Sequence, residues 1–385
     1  MNYVELHARS AFSFLEGASL PETLAEVCAE QAIPAIGLLD RDGVYGSPRM
    51  HMAAQKLGLR AHVGAEVSLD DALFGEAARC RYPLLVETRT GYQNLCRLIT
   101  KYKLREDHKG KGSAAFSELE EHAVGLVCLT GSEEGPLTEA LRRGGYEEGR
   151  RSVERLVQTF GPKNVYVELQ RHRNRGQEAR NKAAVAIARS LHLPLLATNG
   201  VSYATPRERE IQDVLTSIRL HTTLEGAGTS LQGNAERYLR SGKEMGLLFS
   251  DLPEAIHNTV ALSDRLQFQL KDLGYELPRY PVPEGETMMS FLKERTREGF
   301  ERRYGQGRDR NLKERARQQI ERELALIEKL ELADISSSCG ISFASAKSGR
   351  SWRKGAVQQP TALCAIPSAS PSLIRSAWIC CSSGS

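Results

Sequence analysis

No apolar run in this chain of 385 residues approaches the roughly 18 needed to cross a membrane, so no membrane partner is expected. Met1–Ser10 also lacks the basic-then-apolar layout of a secretory leader, which makes the cytoplasm the expected compartment. No CxxC pair occurs among the eight cysteines, which argues against a zinc ribbon or finger. Cys28, Cys80, Cys96 and Cys128 stand singly in apolar surroundings and read as small core residues. Strong charge is missing too. A formal net charge of +4 argues neither for nor against a nucleic-acid partner.

One absence is local. Ile335–Ser385 contains no Asp or Glu, the last acid being Asp334. The same stretch holds both tryptophans, four of the eight cysteines (Cys339, Cys364, Cys380 and Cys381) and fourteen serines. A disordered basic Ser-rich tail is one reading, although such tails rarely carry Trp and paired Cys.

What is present before Asp334 is an alternation of short apolar strands and amphipathic helices. Strands are expected at Tyr3–Leu6, Ala35–Leu39, His62–Leu69, Pro83–Val86, Gly125–Leu129, Asn164–Leu169 and Leu195–Thr198. Helices are expected after Ser19 as cap with Pro21 in the first turn, at Pro48–Leu57 before Gly58, and at Gly91–Tyr102 and Arg175–Leu191. A polar loop is expected at Arg105–Ser113. Seven or so such units imply a parallel sheet closed into a barrel, with functional groups at the C-terminal ends of the strands. His7, Asp40, Glu66 and Asn199 fall there. From Glu208 the pattern turns helical, with an extended bridge at Leu277–Pro283 and charged helices at Met288–Arg303 and Asn311–Leu332. The latter carries a stripe of Ile320, Leu324, Ile327 and Leu330 that reads as a core face.

Imidazoles and carboxylates at strand ends suit divalent cations. The segments ELHARSAFSFLEGAS, LLDRDGVYG, VGAEV, GYQNLCRLIT, VYVELQRH, LLATNGVSYA, ERYLRSGKEM and YPVPEGET carry a resemblance. Tyr3–Tyr203 resembles a PHP (polymerase and histidinol phosphatase) domain, and Tyr3–Ala333 resembles the N-terminal part of a bacterial DNA polymerase III alpha-type subunit of the error-prone branch. The resemblance implies an α/β fold: a distorted TIM-like (β/α)7 PHP barrel over residues 1–270, the mostly helical start of a palm domain over 271–334, and an irregular tail over 335–385. It also implies zinc or manganese in the barrel, magnesium for synthesis, and DNA, dNTPs and accessory subunits as partners of the whole polymerase.

Several ligand positions of the family pattern are replaced here. Arg9 stands in His-x-His-Ser, Arg41 in Asp-His, Ser132 after Leu-x-Gly, and Gly200 and Ser202 in Asn-Asp-Val-His. His7, Glu16, Asp40, Glu66 and His172 remain as vestigial ligands, too few for the family's trinuclear site. A guanidinium stays charged and cannot ligate a metal. Arg9 and Arg41 are therefore expected to replace the cations and pair with Glu66 and Asp40.

The tail also has a sharper reading. Plausible codons for GAVQQPTALCAIP, shifted by one base, spell Gly-Ser-Ala-Ala-Asn-Ser-Ala-Val-Cys-Tyr, which resembles the palm's Gly-Ser motif. A frameshift near Leu332–Ile335 is expected, leaving a fragment without palm aspartates that neither polymerises nor engages DNA and dNTPs. A PHP phosphoesterase or 3′–5′ exonuclease, and a purely structural module, stay open as alternatives.

Overall fold

The computed structural model describes residues 2–71, 79–106, 112–273, 282–283, 285–304, 310–330 and 332–333. Most of the expected bridge at Leu277–Pro283, the centre of the polar loop Arg105–Ser113 and the whole tail Ile335–Ser385 lie outside them. The chain divides into two units, Met1–Leu273 and Gly274–Ser385.

Unit one is built on eight strands among the described residues: β1 Glu5–Ala8, β2 Ala35–Arg41, β3 Arg60–Asp70, β4 Arg79–Val86, β5 Ala114–Ala115, β6 Leu126–Leu129, β7 Val165–Leu169 and β8 Leu195–Ala197. They pair in the order β1-β2-β3-β4-β6-β7-β8, with the short β5 beside β3. The sheet curls until its ends meet. Val201, just past β8, donates its N–H to His7 O at 3.0 Å and accepts from Arg9 N at 2.8 Å.

The sheet is not wholly parallel, as the alternation alone suggested. β3 and β4 are antiparallel, and so are β4 and β6. The reason is chain length: Asp70 and Arg79 are consecutive strand ends, too close in sequence for the dozen or more residues that a parallel crossover needs.

Local chemistry sets the connections. The helix Ser47–Lys56 stops where Gly58 takes a φ of +70°, a conformation that costs a residue without a β-carbon little. Thr88 caps the helix Arg89–Arg105 by accepting from Gly91 N at 3.2 Å. Ser19 does not cap the helix Pro21–Glu30, whose N-cap is Leu20. Its hydroxyl accepts from Ala204 N at 2.6 Å instead, tying the first loop to the barrel's closing segment. The first strand also runs two residues further than its apolar pattern, so His7 lies inside it.

Core residues come from both faces of the sheet, because helices cover its outside. Leu6, Leu39, Leu85, Leu129 and Leu196 are among the interior residues, and Cys28, Cys80 and Cys128 are buried. Cys96 is half-buried. Among the described residues no helix is long and apolar enough to cross a membrane.

His62, on β3, is buried against the helix Pro253–Arg265, with Nε2 2.7 Å from Ser263 Oγ. Burial first, then the Arg60 guanidinium, push its pKa down to about 4, although Asp264 works the other way. The unfolded chain therefore takes a proton at His62 before the folded chain does. Stability is full above the usual histidine value and falls as pH drops toward 4, by about 3 kcal/mol for this group. In urea unfolding at pH 7 and pH 4, His62→Gln should lose less stability between the two than the wild type, by that amount. Equal losses would remove His62 from the acid response.

Unit two contains the helices Met288–Tyr304 and Arg310–Lys329. Phe300 is buried, with Lys313 and Arg317 at 5.8 and 5.9 Å from its ring centre. Ile320, Leu324 and Ile327 are half-buried and Leu330 is 53% exposed, so the expected core stripe is covered over only part of its length.

Candidate functional site

The mouth of the barrel is assembled from the strand ends, beginning with β1. Glu5 and His7 are buried. Glu5 accepts from Tyr3 OH at 2.7 Å, His7 N at 2.8 Å and Asn199 N at 2.9 Å, and burial pushes its carboxyl up to about 7. The His7 ring lies between two carboxylates, with Nε2 2.8 Å from Glu66 Oε1 and Nδ1 2.6 Å from Glu168 Oε1. Burial opposes a charge there, but Glu168 and Glu66 together raise its pKa to about 10. A ring that donates from both nitrogens has no lone pair for a metal.

Arg9 completes the pairing of Glu66. Its Nη2 donates to Oε1 at 2.9 Å and its Nε lies 2.6 Å from Oε2, a two-pronged contact on a carboxylate that is 1% exposed. Burial works against ionised Glu66, yet Arg9 and His7 outweigh it and hold the carboxyl well below its usual range.

Arg41 does not pair with Asp40. Successive side chains on a strand point to opposite faces, so two neighbours on β2 cannot meet across it. Arg41 binds Glu16 and lies 3.5 Å from Asp42. Asp40 is satisfied without a cation: Ser10 N donates at 2.8 Å, Ser10 Oγ at 2.9 Å and Ser13 Oγ at 2.8 Å. Burial raises its pKa despite those bonds, and Glu66 adds to the effect. Glycine is required beside it, because a β-carbon at Gly46 would stand 2.4 Å from Asp40 Oδ2.

Sequence reasoning missed half of the cluster. Arg81, near the start of β4, donates to Glu16 at 2.6 and 3.1 Å and lies 3.2 Å from Glu134. Glu133, in the same loop after β6, pairs with Arg237 at 2.9 Å and with Arg180 at 3.6 Å. Glu168 is held by His7 and by Gln170 Nε2 at 2.9 Å. A signal for Glu168 did exist: it is the lone charge inside an otherwise apolar strand, VYVEL, whereas Arg81 shares β4, RCRYPLLV, with Arg79. Loop residues Glu133 and Glu134 carried none.

His172 stands apart from His7. Its Nε2 donates to Asn199 O at 2.8 Å and its Nδ1 accepts from Gln177 Nε2 at 3.1 Å. Burial and then Arg237 hold it neutral, so it fastens a loop to the barrel. Ser132 lines a cavity of about 20 Å³ with Glu168 and Gln170. Gly200, at a φ of +52°, lies against Gln170, where a β-carbon would come within 2.6 Å of Nε2. Ser202 is buried and bonds through its backbone to Ala18 N and Arg237 O, each at 2.9 Å. Among the described residues no three His, Cys, Asp or Glu side chains are grouped to hold a metal ion.

The PHP domain family matches residues 5–172, a span that begins at Glu5 on β1 and ends at His172. The span from β1 to β7 therefore carries a PHP domain. An error-prone DNA polymerase of Mycobacterium bovis is 36% identical over 337 residues, which are 85% of this chain and 30% of that protein. One from Symbiobacterium thermophilum is 31% identical over 350 residues, 87% of this chain and 31% of that protein. The chain thus spans about a third of the length of the curated relatives it matches. A solved amidohydrolase of Chromobacterium violaceum covers 52% of this chain and 88% of its own, at a TM-score of 0.37 and 15% identity. At the centre of the barrel mouth Glu66 pairs with Arg9 and His7, and Glu168 with His7. Among the described residues Glu168 Oε2 is buried with no hydrogen-bond partner, and Glu66 Oε2 has only its charge contacts with Arg9 and Arg81.

Proposed function

We propose that this chain is the PHP-bearing portion of an error-prone DNA polymerase, in which the barrel mouth is a metal-free brace. The observation that carries the reading is Arg9 seated on Glu66 beside His7. Three arginines, Arg9, Arg41 and Arg81, place fixed positive charge among Glu16, Glu66 and Glu134. The residues present fall short of a zinc or manganese site: Arg9 and Arg41 stand at ligand positions of the family pattern and cannot ligate, and His172 is committed to Asn199 and Gln177.

On this reading residues 1–270 form the PHP domain and 271–334 open a palm domain. DNA, dNTPs and the magnesium that would neutralise phosphate charge during synthesis belong to the whole polymerase. This chain contributes a rigid scaffold to it, along with any surface used by accessory subunits.

Two assays on one preparation test the proposal. Phosphomonoester hydrolysis with added manganese, run beside His7→Ala, should show no turnover that depends on His7. Primer extension by the chain alone should show no product. Hydrolysis lost in His7→Ala would return the site to the phosphoesterases, and extension would place a synthetic centre in this chain.

A further inference from the structure

The helix Arg209–Arg219 is built inside out. Its buried residues are Gln212, Thr216 and Ser217, whereas Ile211, Val214 and Ile218 are 49%, 45% and 52% exposed. With about 3.6 residues per turn, Ile211, Val214, Leu215 and Ile218 share one face. Leu220 and Leu224, just beyond the helix, are also exposed, at 41% and 49%. The polar side is fixed to its own backbone and to itself. Thr216 Oγ1 donates to Gln212 O at 2.8 Å, Ser217 Oγ donates to Asp213 O at 3.0 Å, and Arg209 lies 3.3 Å from Asp213. A helix with its polar side turned in and a contiguous aliphatic side turned out is made to be covered.

The chemistry of the patch narrows the occupant. The helix carries Arg209 and Arg219 against Glu210 and Asp213, so its charge cancels, unlike a phosphate-binding surface. It offers no aromatic ring for a base to stack on. A membrane-surface helix needs a basic solvated face, and here the polar face is packed inside the protein. An aliphatic, uncharged seat suits another polypeptide segment. Relatives are matched over only 30% and 31% of their length, so most of such a protein is chain that this structure does not contain.

We infer that Ile211, Val214, Leu215 and Ile218 form the seat of an apolar segment from the remainder of a full-length polymerase. The inference rests on the polymerase reading above, and its test separates the two. A chimera in which this chain replaces the matched region of the Mycobacterium bovis polymerase is compared with this chain alone by amide hydrogen exchange. In the chimera, exchange across residues 209–224 should slow about tenfold or more, and Ile211→Asp with Ile218→Asp should abolish the slowing. DNA synthesis with unchanged exchange would overturn the docking and leave the polymerase reading standing. Slowed exchange without synthesis would support the docking and count against that reading.

Two measurements on the chain alone close the remaining routes. Ile211→Gln, Val214→Gln and Ile218→Gln together should leave Tm unchanged, because the face stands exposed among the described residues; a fall of several degrees would overturn the inference. Sedimentation should show a monomer, and a dimer abolished by Ile218→Asp would assign the face to a second copy instead.

Discussion

Arg9→Met is expected to lower the folding free energy by about 3–5 kcal/mol, the cost of stripping one partner from a buried ion pair. Methionine replaces the aliphatic stem of Arg9 tolerably well, so packing changes little. Glu66 cannot move to water, because it is 1% exposed and lies inside β3, four residues before its end. It would lose both prongs of the guanidinium and keep His7 at 2.8 Å, with Arg81 no nearer than 3.9 Å. Urea unfolding followed by far-ultraviolet circular dichroism measures the loss. Adding Glu66→Gln to Arg9→Met should recover about 2 kcal/mol, since a neutral amide needs no cation. A single-variant loss under about 1 kcal/mol would mean that the pair braces nothing.

His7→Leu should be comparably severe, at about 3–5 kcal/mol, for a different reason. His7 is the cation between two buried carboxylates, 2.8 Å from one and 2.6 Å from the other. Without it Glu168 retains only neutral donors, Gln170 and Thr198, while Glu66 retains Arg9. His7 has its pKa raised to about 10, so its contribution is fully present below the usual histidine value and fades as pH rises toward 10. Unfolding curves at pH 5, where that contribution is whole, measure the loss. A loss under about 1 kcal/mol there would mean that the Glu66–His7–Glu168 bridge holds nothing together.

These expectations locate what the amino-acid pattern could reveal. Alternating strands and helices disclosed the barrel, and His7 and Asp40, each one residue from the end of its strand, its mouth; Glu66, expected at a strand end, lies four residues inside β3 instead. The reversed β4 did not stand out, since strand patterns carry no direction and only the short connection from Asp70 to Arg79 betrays it. The pairing of Arg9 with Glu66 was legible as charge balance. That of Arg41 was misplaced on Asp40, because adjacency in sequence was allowed to outweigh the alternation of side chains along a strand. His172 had the residue type of a ligand but not the place of one. The helix Arg209–Arg219 shows a further limit. Periodicity reveals that one face is apolar, yet it does not say whether that face turns inward or waits for a partner.

The central claim is that arginine charge, not metal, balances the carboxylates of the PHP mouth. The most direct test is elemental analysis of the purified protein by inductively coupled plasma mass spectrometry, paired with Tm before and after EDTA. Zinc, manganese and iron should each stay far below stoichiometric, and EDTA should leave Tm unchanged. A stoichiometric metal whose removal lowers Tm would contradict the account.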